Sequence, residues 1–163
     1  MIPTLSLNSV KILDNGNSNI DCKDIIYGTG VDILEITRIQ TLLSKYKTTF
    51  IGKILNSDEQ SLFDSVGPAR QAAYLAKRFA CKEAISKALG VGIGHECSFH
   101  DISIINCPRG KPIANLSINA VNRIFNNTPD NRYIHPNDIM IHISMSDEKK
   151  YAVAHAIIAI KMR

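Results

Sequence analysis

Tryptophan is absent, and only five Phe and five Tyr stand among 163 residues. That leaves little for a base-stacking platform and counts against a small nucleic-acid-binding protein. The four cysteines, Cys22, Cys81, Cys97 and Cys107, form no CxxC pair and no zinc spacing. With no secretory signal in view, they read as free thiols of a reducing compartment. No apolar run approaches the roughly 18 residues a membrane span needs; the longest, residues 151–160, is broken by His155. Neither sign of charge dominates: 19 basic against 15 acidic side chains give a net +4, which suits an acidic protein or a phosphorylated small molecule. The dinucleotide fingerprint GxGxxG is also missing, because Ile33 stands where its third glycine would be.

What is present is an ordinary core-forming composition, 45% hydrophobic, enough for one domain over residues 25–163 behind a polar extension, residues 1–24. Its most regular stretch is ARQAAYLAKRFACKEAISKALG, residues 69–90. Pro68 suits a first helical turn and Gly90 the position just past the end, with neither residue type between. Ala72, Ala76, Phe79, Ala80 and Ala84 make a small-residue stripe against which a neighbour can pack closely. Arg78, Lys82, Glu83 and Lys87 lie in its second half, Glu83 and Lys87 side by side on one face.

Ahead of this helix, IIYGTGVDI (residues 25–33) reads as a strand. Its Gly28 and Gly30 imply close approach of another backbone or of a ligand. Asp32 must find a cation or donors; a strand-end cap or Asx turn weighs equally with ligand binding. Residues 35–46 show helical spacing with Arg38 and Lys45 on one flank, and Ser57-Asp58-Glu59-Gln60 reads as a capping box opening a short helix. After the long helix, Gly90, Gly92 and Gly94 form a loop that could bring backbone N–H groups to a phosphate or simply connect elements. A strand over 99–106, a turn at Gly110, a return strand over 113–116 and a helix marked by Ile118, Val121, Ile124 and Phe125 follow. Residues 126–137 read as a polar loop. Residues 139–146 alternate cleanly as a strand with His142 and Ser144 on one side, and 151–160 reads as a strand buried on both faces. The order β-α-α-α-β-β-α-β-β favours an α+β fold with mostly antiparallel sheet.

Three segments together resemble the bacterial-type branch of the 4′-phosphopantetheinyl transferases. They are Gly28-Thr29-Gly30-Val31-Asp32-Ile33-Leu34-Glu35-Ile36, Lys77-Arg78-Phe79-Ala80-Cys81-Lys82-Glu83-Ala84 and His142-Ile143-Ser144, helped by Gly110-Lys111-Pro112. The resemblance spans about residues 25–161; the extension and the 126–137 loop are longer than that branch leads one to expect.

It implies a mostly antiparallel sheet packed on a long central helix. It also implies transfer of 4′-phosphopantetheine from coenzyme A to a serine of apo acyl carrier protein, in support of fatty acid biosynthesis, with release of adenosine 3′,5′-bisphosphate. Asp32 and Glu83 would hold Mg²⁺, which takes few carboxylates alongside waters and substrate phosphates. Lys87 would reach a phosphate oxygen and steady the serine hydroxyl. Glu83, or a metal-bound water beside it, would take the serine proton. His142, Ser144 and Gly90 would line the coenzyme A site, Arg78 and Lys82 would serve its phosphates, and Arg38 would dock the carrier protein. The same resemblance implies a homotrimer with shared active sites, working in the cytoplasm, or in an organelle should residues 1–24 belong to a targeting segment. A non-catalytic module binding coenzyme A or a carrier protein is the alternative; it would need the basic face and glycine loop but not both carboxylates.

Overall fold

The computed structural model describes residues 24–126 and 134–161, with the side chain of Asp24 and residues 1–23, 127–133 and 162–163 outside the description. Cys22, the N-terminal extension and most of the polar loop therefore lie beyond it. The elements run β1 (Asp24–Glu35), α1 (Ile36–Ile54), α2 (Ser57–Asp64), α3 (Pro68–Ala88), β2 (Ile102–Asn106), β3 (Pro112–Leu116), α4 (Ile118–Val121), β4 (Ile139–Asp147) and β5 (Tyr151–Lys161). This is the expected order. A single 3₁₀ turn, Phe99–Asp101, occupies the start of what reads in sequence as one strand.

The strands form a three-stranded sheet, β1-β5-β4, and a separate β2-β3 hairpin, all pairs antiparallel. Helix α3 lies across one face of the larger sheet, and the reason is in β1. A Cβ on Gly28 would stand 2.2 Å from the carbonyl oxygen of Ala88, and one on Gly30 would stand 2.1 Å from that of Ala84. Only hydrogen fits there, so the two glycines and the alanine stripe together let strand and helix touch backbone to backbone. Of the two sequence readings for these glycines, it is the approach of a backbone that holds.

Helix α3 ends in a Schellman motif. Gly90, at φ +77°, donates its N–H to Lys87 and Val91 donates to Ser86, so the last carbonyls are satisfied. Its core side, with Ala80, Ala84, Ile85 and Ala88, packs on Ala154, Ala156 and Ile158 of β5. A second cluster, around Ile39, Ile54, Phe63 and Leu75, joins α1 and α2 to the first half of α3.

Three expectations need correction. The cap of α2 is Asn56, not Ser57: its side chain accepts from the Glu59 N–H while Glu59 reaches back to the Asn56 N–H. Helix α1 does not stop at Tyr46 but passes through it with a kink (φ −136°, ψ 33°) and continues to Ile54. Strand β5 is not buried on both faces of the single chain. Ala152, Ala154, Ala156 and Ile158 face α3, while on the other face Tyr151, Val153 and His155 are exposed and only Ile157 and Ala159, in the second half, are half-buried and buried; among the described residues no helix covers the open half.

Candidate active site

The backbone contact between β1 and α3 brings together residues more than fifty positions apart. Asp32 sits inside β1, opposite Ala154 and on the α3 side, so it is neither a cap nor an Asx turn. Lys87, on the last turn of α3, bonds its carboxylate at 2.8 Å and the Val31 carbonyl at 3.2 Å. The Asp32 side chain is 17% exposed and that of Lys87 49%, so the pair stands at a surface. Glu83 is one turn before Lys87. Burial raises its pKa above the ordinary carboxylate value and the negative charge of Asp32 raises it further, while Lys87 and Arg38 pull the other way. Asp32, Glu83, Lys87 and Arg38 thus share one electrostatic neighbourhood, with Arg38 exposed on the first turn of α1.

Two carboxylates at this seam suit a hard cation that takes its remaining oxygens from water or substrate. Among the described residues no cluster of three or more His, Cys, Asp or Glu gathers as a protein-only metal cage. The donor set therefore fits Mg²⁺ in that shared mode and fits zinc poorly.

The remaining sequence candidates lie elsewhere. Lys82 is a correction. It is fully buried and its ammonium donates to the Ile54 carbonyl (2.7 Å), Glu59 Oε2 (2.5 Å) and the Phe99 carbonyl (2.9 Å), so it has no proton left for a phosphate. Burial lowers its pKa from the ordinary lysine value, against the pull of Glu59. Arg78 is 3% exposed. It stacks 4.1 Å from the Tyr74 ring centre and donates to Asn106 Oδ1 at 2.5 Å, while its Nε has no hydrogen-bond partner. Asn106 in turn donates to the Gly110 carbonyl in the β2–β3 turn that carries Lys111. Gly90 ends the helix and has open space around it.

His142 and Ser144 are exposed on β4, opposite Ile157 and His155 of β5. They belong to the outer face of the sheet, away from α3, and β5 separates their strand from β1. Within one chain the structure does not bring them to Asp32 and Glu83. That outer face also shows Val31 (58% exposed), Ile33, Tyr151 and Val153.

Sequence reasoning missed Glu59, which it noted only as part of a cap. The signal available was the N-x-x-E spacing from Asn56; nothing local reveals that the carboxylate also meets Lys82. A shallow groove lined by Ile36, Gln40, Ala72, Ala73, Asp147 and Lys149 lies toward the opposite end of α3 and contains none of the site residues. The buried thiols of Cys81 and Cys97, pushed up to about 12 and about 11, are inert at neutral pH.

Comparison with known proteins gives the family. Residues 28–156 match the family model of the 4′-phosphopantetheinyl transferase superfamily. Holo-[acyl-carrier-protein] synthase of Ruthia magnifica is 42% identical over 134 residues, 82% of this chain and 97% of that relative. Among solved structures, the Bacillus anthracis holo-(acyl-carrier-protein) synthase in complex with CoA (3′,5′-ADP) is 35% identical with a TM-score of 0.67, covering 83% of this chain and 98% of the other. The Helicobacter pylori synthase in complex with coenzyme A is 30% identical with a TM-score of 0.64, covering 80% and 98%.

Proposed function

The chain belongs to the 4′-phosphopantetheinyl transferase superfamily, and from that premise we propose a division of labour among its residues. The enzyme is a holo-[acyl-carrier-protein] synthase. It moves 4′-phosphopantetheine from coenzyme A to a serine of apo acyl carrier protein and releases adenosine 3′,5′-bisphosphate. The observation that carries the assignment of roles is the meeting of Asp32, Glu83 and Lys87 at the β1–α3 seam.

In this reading Asp32 and Glu83 hold Mg²⁺. Held there, Mg²⁺ would supply positive charge to the pyrophosphate oxygens. Lys87 supplies a mobile point charge to a phosphate oxygen and steadies the serine hydroxyl. Glu83, or a water held beside it, would accept the serine proton. Arg38, exposed beside the carboxylates, meets the acidic carrier protein and speeds its encounter. Arg78 would serve a coenzyme A phosphate by its charge, and within one chain it is nearly buried and held by Asn106 and Tyr74. Gly90 and the following glycines let the chain turn away closely behind the phosphates.

His142 and Ser144 line the coenzyme A site from a neighbouring subunit. Two features support a homotrimer with shared sites. The outer face of the sheet exposes Val31, Ile33, Tyr151 and Val153 together, apolar side chains that a neighbouring subunit would cover. The same face carries His142 and Ser144, which cannot reach the carboxylates of their own chain through the sheet. Residues 25–163 act as one domain, supported by the pairing of Asp24 with Lys161 at the two ends of the described fold. Among the described residues no helix is long and apolar enough to cross a membrane. The enzyme works where coenzyme A and apo acyl carrier protein meet, the cytoplasm in this reading, or an organelle if residues 1–24 belong to a targeting segment.

The test is intact-mass analysis of apo acyl carrier protein incubated with the chain, coenzyme A and Mg²⁺, with a chelator control. A gain of one phosphopantetheine that vanishes with the chelator establishes reaction and metal together. No gain despite coenzyme A binding would favour a non-catalytic binding module.

A further inference from the structure

The most fully connected polar cluster in the described interior is Glu59 with Lys82, both 0% exposed. The ammonium spends its three protons on the end of α1, on α2 and on the 3₁₀ turn, through the Ile54 carbonyl, Glu59 and the Phe99 carbonyl. Glu59 Oε1 accepts the Ile104 N–H of β2 at 3.1 Å, and Oε2 also accepts the Asn56 N–H at 3.1 Å. Five segments of chain therefore converge on one ion pair, with every donor and acceptor engaged.

The pair caps four backbone groups, but burying its two charges is not by itself stabilising. Taking two charges out of water is costly, and apolar residues of similar volume often serve a core as well or better. What such a network supplies is direction, since its bonds exist at only one position and one roll of the helix. Helix α3 gains from that, because its sheet-facing side is mostly the small run Ala76, Ala80, Ala84 and Ala88, with Ile85 beside them. A surface of methyl groups lets a helix come close but offers few knobs to stop it from turning. With side chains reaching about 5–6 Å from the axis, a roll of about 20° would carry a carboxylate about 2 Å sideways. That far exceeds the roughly 0.5 Å tolerance of a working site.

Resting on the assignment of Asp32 and Glu83 as metal ligands, we propose that the buried Glu59–Lys82 pair is a positioning device for Glu83. It fixes the roll of α3 so that the next residue along, Glu83, faces Asp32 across the seam. Neither Glu59 nor Lys82 touches substrate. They act on the metal site from behind, as supporting residues do for first ligands elsewhere.

The test is direct Mn²⁺ binding by electron paramagnetic resonance, without turnover, on the full chain and on Glu59→Leu/Lys82→Met, which removes both charges together. Each protein is measured well below its own melting temperature. The expected result is Mn²⁺ affinity weakened about 10-fold or more in the folded double variant, with coenzyme A binding measured in chelator within about 2-fold of the parent. Mn²⁺ affinity equal to the parent's in the folded variant would overturn the proposal and leave the pair purely structural. Should the double variant not fold, Glu59→Gln keeps the volume and is expected to weaken Mn²⁺ about 3-fold or more; parent-like binding there overturns the proposal equally. If the parent itself binds no Mn²⁺, the ligand assignment fails and this inference with it, a different result from parent binding with an unaffected variant.

Discussion

Lys87 and Asp32 are ion-paired at 2.8 Å across the β1–α3 seam, with the lysine also on the Val31 carbonyl. The ammonium therefore stands against one of the two carboxylates assigned to the metal, and a cation entering there competes with it. Lys87→Met should move two quantities in opposite directions. Half-saturating Mg²⁺ should fall severalfold, because Asp32 is released, while kcat falls about 100-fold, because a charge aimed at the phosphate is gone. A magnesium titration of the mass-shift assay reads both. An unchanged half-saturation would mean that the ion pair does not guard the site.

Glu83 carries a stability cost that its proposed role as a metal ligand explains. Its folded pKa is raised above the ordinary 4.5 by burial and by Asp32, so folding disfavours its ionised form. For a carboxylate shifted this way, the contribution to stability is fully present below the ordinary value and is lost as pH rises through the folded one. Glu83→Gln should therefore melt higher than the parent at pH 7 in chelator, with the gain shrinking as pH falls through the raised folded value and gone below about 4.5. The same variant should lose nearly all transfer activity. Differential scanning calorimetry at several pH values checks the first outcome; parent-like activity would remove Glu83 from the metal site.

The glycines of β1 should differ sharply from those of the loop. Gly30→Ala puts a methyl 2.1 Å from a backbone oxygen that cannot step aside, and should cost about 1–3 kcal/mol in urea denaturation. Gly94 has nothing within 4 Å of its would-be Cβ and no positive φ, so Gly94→Ala should be close to neutral. Equal effects at both positions would mean that the seam is not the tight contact described.

The proposed sharing of active sites between subunits makes a prediction no single-chain site can satisfy. Asp32→Ala and His142→Ala should each be inactive alone. Mixed and reassembled, they should recover part of the parent activity, because some hybrid sites then take Asp32 from one subunit and His142 from another. A charge on the outer face, such as Val31→Lys, should abolish both the trimer by light scattering and the activity. Failure of the mixture to recover, with trimers present, would place both residues in one subunit's site.

How much of this was legible in sequence depends on whether the signal was local. The order of elements could be read, because helical and alternating periodicities persist over the lengths of α3 and β4 and because Pro68 and Gly90 mark α3's ends. The placement of Arg78 and Lys82 could not. Helix α3 is covered by β1, β5, α1 and β4 on different sides, so its charged residues need not mark a solvated face. Sequence periodicity gives only their angular positions, and the acceptors that make Lys82 tolerable come from residues 54, 59 and 99. The face of β5 that carries Val153 and His155 was misread for a related reason: apolar side chains on both faces state that both prefer burial, not that the same chain buries them.

The sequence by itself marked Gly28 and Gly30 as points of close approach and the alanines of α3 as a surface that permits it; that the two meet backbone to backbone was decided by the tertiary structure. The sequence also determined which side chains share a strand face or a helix face, because the periods of 2 and 3.6 are properties of the backbone. Only the tertiary structure decided that Asp32 meets Lys87 and Glu83, that Glu59 locks Lys82, and that His142 stands on the far side of the sheet. Those relationships join residues far apart in the chain, and what fixes them is the packing of whole elements, which no local pattern records.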